Sequence, residues 1–138
     1  MRSMPSTAAA ATDIIPIDWE QLHALSDGNE EFEVELLKIF FVETKTQLQL
    51  LSLAILKSDL PTIEHLAHKL KGSSGNIGFF NLYQHASLLE HQARSSKFSE
   101  HARIEQRRLL DRMLQDLAMI QNFLEEQHSF GAVVRNTN

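Results

Sequence analysis

The chain has 138 residues, a formal net charge of −5, an apolar fraction of 43% and no cysteine. The length fits one domain with a proper core. The acidic balance excludes general nucleic-acid affinity, and the missing cysteines exclude disulfide frameworks, thiolate zinc sites and cysteine nucleophiles.

The composition is helical: three prolines, five glycines, and many Leu, Ala, Glu, Gln and Lys residues. Residues 1–13, MRSMPSTAAAATD, lack the apolar stretch of a secretory signal and are read as a disordered leader. The domain is expected over 14–128, and 129–138 as a flexible tail. Asp18 can cap a short helix, DWEQLHAL, ending at Ser26-Asp27-Gly28. Trp19 and Leu22 share one side of it. Asn29 starts a long helix to about Lys57, with an apolar stripe Val34, Leu37, Phe41, Thr44, Leu48, Leu51, Ile55. Ser58-Asp59 is a turn and cap, and Pro61 suits the first turn of the next helix, which runs to about Asn76. Gly78 breaks it. The stripe Phe79, Leu82, Ala86, Leu89, Ala93 marks a further helix. After a polar connection the last helix spans about 100–127, with Leu110, Met113, Leu117, Ile120 and Leu124 inward. No strand pattern is evident. Long amphipathic helices with short connections predict an all-α, antiparallel up-down-up-down four-helix bundle preceded by a short helix.

The segment His65–Ile77, HLAHKLKGSSGNI, carries the functional signal. At about 100° per residue, Gly72 and Gly75 fall within about 40° of His68, opposite a face formed by Ile63, Leu66, Leu70 and Ile77. An interior helical glycine costs about 1 kcal/mol relative to alanine. Two of them beside one outward histidine suggest close approach by something large. Lys71 lies about 60° around the helix from His68, one turn on, where its ammonium can meet an anion held on the ring. Ser73 and Ser74 are read as small packing residues, not as nucleophiles.

Other chemistries find no support. No glycine-rich phosphate loop follows a strand, and no G-x-S-x-G elbow exists. A bundle di-iron site needs Glu-x-x-His pairs, but Glu64 is followed at that spacing by Ala67, and Glu90 by Ala93. No metal site is expected. No unbroken apolar run approaches the about 20 residues of a membrane span, so no membrane partner is expected either.

His68-Lys69-Leu70-Lys71-Gly72-Ser73-Ser74 fits H-x-L-K-G-[SA]-[SA], the motif of histidine-containing phosphotransfer (HPt) domains. Asn76-Ile77-Gly78, Leu82, the run Leu88-Leu89-Glu90 and the opening Ile17-Asp18-Trp19 also resemble that family, over about residues 14–127. The resemblance implies a phosphorelay intermediate, which takes a phosphoryl group on a histidine from the aspartate of one receiver domain and passes it to another. By the motif His68 would be the phosphoacceptor, through Nε2, with Lys71 balancing the phosphoryl charge and Glu64, His65, Gly72 and Gly75 forming the docking surface. Glu90 lies where the family often has a polar residue near the histidine. Two readings are open: a hydrogen bond to the second ring nitrogen that fixes the tautomer, or a solvated charge. The implied partners are response-regulator receivers and the receiver of a hybrid histidine kinase. The chain would need no cofactor, Mg²⁺ being supplied by the receiver, and would act as a monomeric, cytoplasmic phosphoprotein without kinase activity of its own. A lack of cysteine fits that compartment. The competing readings are a non-catalytic helical adaptor that docks receivers, a histidine-kinase phosphoacceptor region, and a plain structural bundle. The kinase region would need an ATP-binding α/β domain, for which there is no room. The structural bundle leaves the paired glycines unexplained.

Overall fold

A computed structural model describes residues 15–95, 97 and 99–136, with side chains as far as residue 127. The proposed leader therefore lies outside the described residues. Five helices follow one another: α1 (Trp19–Ser26), α2 (Glu30–Leu56), α3 (Leu60–Ile77), α4 (Phe80–Ser95) and α5 (Glu100–Asn136). Short connections make α2 to α5 an antiparallel bundle in which each packs on the next and α5 closes against α2, while α1 lies on α2.

Local chemistry sets most of the boundaries. The side chains of Asp18, Asn29 and Asp59 accept hydrogen bonds from the backbone N–H of Gln21, Phe32 and Thr62 and so cap α1, α2 and α3. Gly78 ends α3 at φ 87°, in the left-handed region that glycine enters freely, and its N–H returns to the Ser74 carbonyl. The Asp18 N–H then donates to the Gly78 carbonyl at 2.9 Å, and Ile17 bridges Phe79, so the chain ahead of α1 is tied to the α3–α4 turn. Gln21 Nε2 adds bonds of 2.6 Å to the Gly75 and Asn76 carbonyls, satisfying the open end of α3. A Cβ on Gly78 would sit 3.0 Å from that of Asp18. Gly78→Ala is therefore expected to destabilise the domain by about 1–2 kcal/mol, read as a lower urea midpoint at unchanged m-value.

The core contains the stripes expected for α3 and α4, Ile63, Leu66, Leu70, Ile77 and Phe79, Leu82, Ala86, Leu89, Ala93. In α2 one adjustment is needed. Phe40, not Phe41, is fully inside, where it meets the edge of Phe79; Val34 and Phe41 are half-buried. Both phenylalanines satisfy the helical period, and the partner aromatic decides between them. Leu124 is likewise only partly covered. Backbone helix in α5 continues to Asn136, past the end expected near 127.

By length and composition α2 alone among the described helices is apolar enough to cross a membrane, with a window of mean hydropathy 1.3. Its inner side builds the bundle core, and its outer side exposes Ile39, Val42, Leu50 and Leu53. Buried Glu33 on the same helix pairs with His23 and accepts from Ser26 Oγ at 2.9 Å, holding α1 in place.

Candidate functional site

The site is built on the seam between α3 and α4. Apolar positions of α3 turn inward, so His68, on the opposite face, is forced out: its side chain is 71% exposed. Glu90 comes from α4, next to the inward Leu89, and its carboxylate is buried, 6% exposed, beneath the ring. His68 Nδ1 and Glu90 Oε2 are 2.6 Å apart. Of the two readings of Glu90, the structure has the hydrogen bond.

A buried carboxylate needs compensation, and Glu90 has three cationic or donor neighbours. Besides His68, Lys71 Nζ donates to Oε1 at 3.3 Å and Arg94 Nη2 to Oε2 at 3.0 Å. Burial pushes the carboxyl up; the hydrogen bond to His68, then the hydrogen bond and charge of Lys71, outweigh it and hold Glu90 below its ordinary value of 4.5. An ionised Glu90 can only accept, so neutral His68 must carry its proton on Nδ1, and Nε2 keeps its lone pair on the exposed part of the ring.

The sign of the linkage follows. A depressed folded-state value means that Glu90 contributes stability above its unfolded value, and loses it as pH falls through the folded one. Glu90→Gln is expected to cost about 1–2 kcal/mol at neutral pH, and the deficit should shrink as acid protonates the parent carboxylate. Melting curves of both proteins through the acid range check this.

The sequence placed Lys71 and Gly72 correctly on the helix but not in their full surroundings. The ammonium of Lys71 is engaged rather than free: it bonds Glu90 and lies 5.9 Å from the centre of the Tyr83 ring. Gly72 is exposed, and a Cβ there would meet nothing within 4 Å. Gly75 differs. Its added Cβ would lie 3.2 Å from Tyr83 Cδ2, so this glycine makes room for an aromatic ring of α4 as well as falling on the His68 face. His65 is exposed, while Glu64 accepts from Arg94 Nε at 2.9 Å. Arg94 and Tyr83 were missed in the sequence. The four-residue spacing of Glu90 and Arg94 on one helix was the available signal for the arginine. No group of three or more His, Cys, Asp or Glu side chains suited to a metal occurs among the described residues.

The described residues thus form a helical bundle that presents an exposed imidazole hydrogen-bonded through one nitrogen to a buried carboxylate. The family model for the Hpt domain matches residues 35–132, and the chain belongs to that family, whose members carry phosphoryl groups in two-component signalling. Two solved structures have the same fold. Histidine-containing phosphotransfer protein B (HptB) of Pseudomonas aeruginosa PAO1 superposes with a TM-score of 0.69 at 24% identity, covering 82% of this chain and 94% of that one. The HPT domain of a sensor hybrid histidine kinase from Shewanella gives 0.64 at 18% identity, covering 80% and 94%. No curated protein matched the chain.

Proposed function

We propose that this chain is a phosphorelay intermediate in which His68 takes the phosphoryl group from the aspartyl phosphate of one receiver domain and gives it to the aspartate of another. The observation that carries the reading is the His68–Glu90 hydrogen bond beside the open surface over Gly72. The Nε2 lone pair attacks phosphorus. The bond from phosphorus to the aspartate oxygen breaks, and the carboxylate leaves with its electron pair. The Nδ1 proton stays between the ring and Glu90, so the anion beneath stabilises the positive charge that the ring gains. Transfer to the second receiver runs the same steps backwards. Lys71, shared between Glu90 and the site, balances charge on the phosphoryl oxygens. Gly72 and His65 offer a surface on which a receiver can seat, with Glu64 and Gly75 supporting its edge.

On this reading the chain is a carrier without kinase activity. Mg²⁺ and the acidic pocket come with the receiver, and the partners are a hybrid-kinase receiver and a response regulator. A monomer in the cytoplasm suits such a shuttle. The test is incubation of the chain with a radiolabelled phospho-receiver. Label should move to the chain and be acid-labile and alkali-stable, as a phosphoramidate is. Receiver binding without any label on the chain would make it a docking adaptor instead.

A further inference from the structure

We propose that Arg94 is a positioning residue for His68 and acts through Glu90; this rests on the reading of His68 as the nucleophile and deepens it. A closed circuit crosses the α3–α4 seam. Glu64 on α3 accepts from Arg94 Nε at 2.9 Å, and Arg94 on α4 donates from Nη2 to Glu90 Oε2 at 3.0 Å. That same oxygen meets His68 Nδ1 at 2.6 Å, back on α3. The other oxygen of Glu90 has Lys71 at 3.3 Å.

Two consequences follow from the guanidinium. It is planar and its N–H groups point in fixed directions, so an arginine pinned by Glu64 fixes the carboxylate it touches. The anchor on Oε1 is a lysine ammonium on a flexible stem, which alone leaves the carboxylate free to turn away from the ring. Arg94 therefore keeps an acceptor in front of Nδ1 and the lone pair on Nε2. The second consequence is electrostatic. The charged groups around His68 are Glu64 and Lys71 from α3, and Glu90 and Arg94 from α4. They are two anions and two cations. Deleting Arg94 leaves an excess of negative charge beside the ring and removes one of the two cations that hold Glu90. The arginine side chain is 60% exposed, so its loss is a surface change that the fold tolerates.

The experiment follows the His68 ring nitrogens by long-range proton–nitrogen NMR on the ¹⁵N-labelled full chain across pH. In the parent, His68 should show a protonated Nδ1 and a bare Nε2. In Arg94→Ala the ring should show a mixture of tautomers. The transfer rate at saturating phospho-receiver should fall about tenfold. Arg94→Lys returns the charge but not the fork, so it should leave the tautomers mixed. Unmoved ring signals in Arg94→Ala would overturn the inference even if transfer fell, because the arginine would then act only on the receiver. Full recovery of the tautomer by lysine would overturn it too, since charge alone would suffice. The ring readouts need no phosphoryl donor. A parent chain that is never labelled therefore sinks the transfer reading alone, whereas normal labelling with unmoved Arg94→Ala spectra sinks this one alone.

Discussion

His68→Gln is expected to abolish phosphoryl labelling of the chain while leaving its helical circular dichroism and melting temperature nearly unchanged. The side chain is 71% exposed, so little packing is lost, and the glutamine amide can still donate to Glu90. What disappears is the nitrogen lone pair. The control set matters, because carboxylate pairing does not single out this histidine. His23 pairs through Nδ1 with Glu33, and His85 through Nδ1 with Asp116 at 2.5 Å. His85 is only 21% exposed and bridges α4 to α5, where burial pushes Asp116 up against the hydrogen bond of His85. His23, 47% exposed, is the nearest rival. It lies beside Trp19, with Ser26 and Asp27 rather than a lysine one turn on, and its neighbouring glycine, Gly28, lies beyond the end of the helix at φ 77°. His23→Gln and His85→Gln should therefore keep full labelling, though both alter an interhelical tie. Label surviving in His68→Gln and vanishing in His23→Gln would transfer the phosphoacceptor role to α1.

Much of this architecture is local and so could be read from the chain. Asp18, Asn29 and Asp59 each accept from an N–H three residues on, and the Gly78 cap bonds within its own turn. Such signals need no knowledge of the rest of the fold. The stripes of α3 and α4 were legible for the same reason. What failed to show was anything decided between helices. Phe40 and Phe41 both fit the period of α2, and only the position of Phe79 chooses. His68 and Glu90 are 22 residues apart, and their bond depends on the register of α3 against α4. That register also brings Tyr83 over Gly75 and within reach of Lys71, neither of which a helical projection of α3 alone can contain. The outer stripe of α2 gives the opposite lesson. Its hydropathy comes from exposed Ile39, Val42, Leu50 and Leu53 added to the buried face, so composition alone overstates how much of the helix is inside.

Gly72 separates stability from function. It is a helical glycine with open space where a side chain would go, so Gly72→Ala is expected to stabilise the domain by up to about 1 kcal/mol, through a smaller loss of backbone entropy on folding. Gly72→Gln should also fold, since the added atoms enter solvent and no neighbour has to give. Yet this residue follows Lys71 directly and lies on the His68 face of α3, so a long side chain there projects into the space through which a receiver must reach the ring. Labelling by a phospho-receiver should fall by one to two orders of magnitude, about 1.4–2.8 kcal/mol of lost transition-state access. The loss should appear mainly as weaker receiver binding. The same pair of substitutions at Gly75 provides the contrast. There a Cβ would press on the Tyr83 ring at 3.2 Å, so Gly75→Gln should lower the melting temperature before it affects docking. If Gly72→Gln instead melts lower, with transfer declining only in proportion to the unfolded fraction, Gly72 is a packing residue and the docking surface lies elsewhere. A melt and a labelling time course on the four variants decide the matter, because packing and docking predict opposite orders of damage at the two glycines.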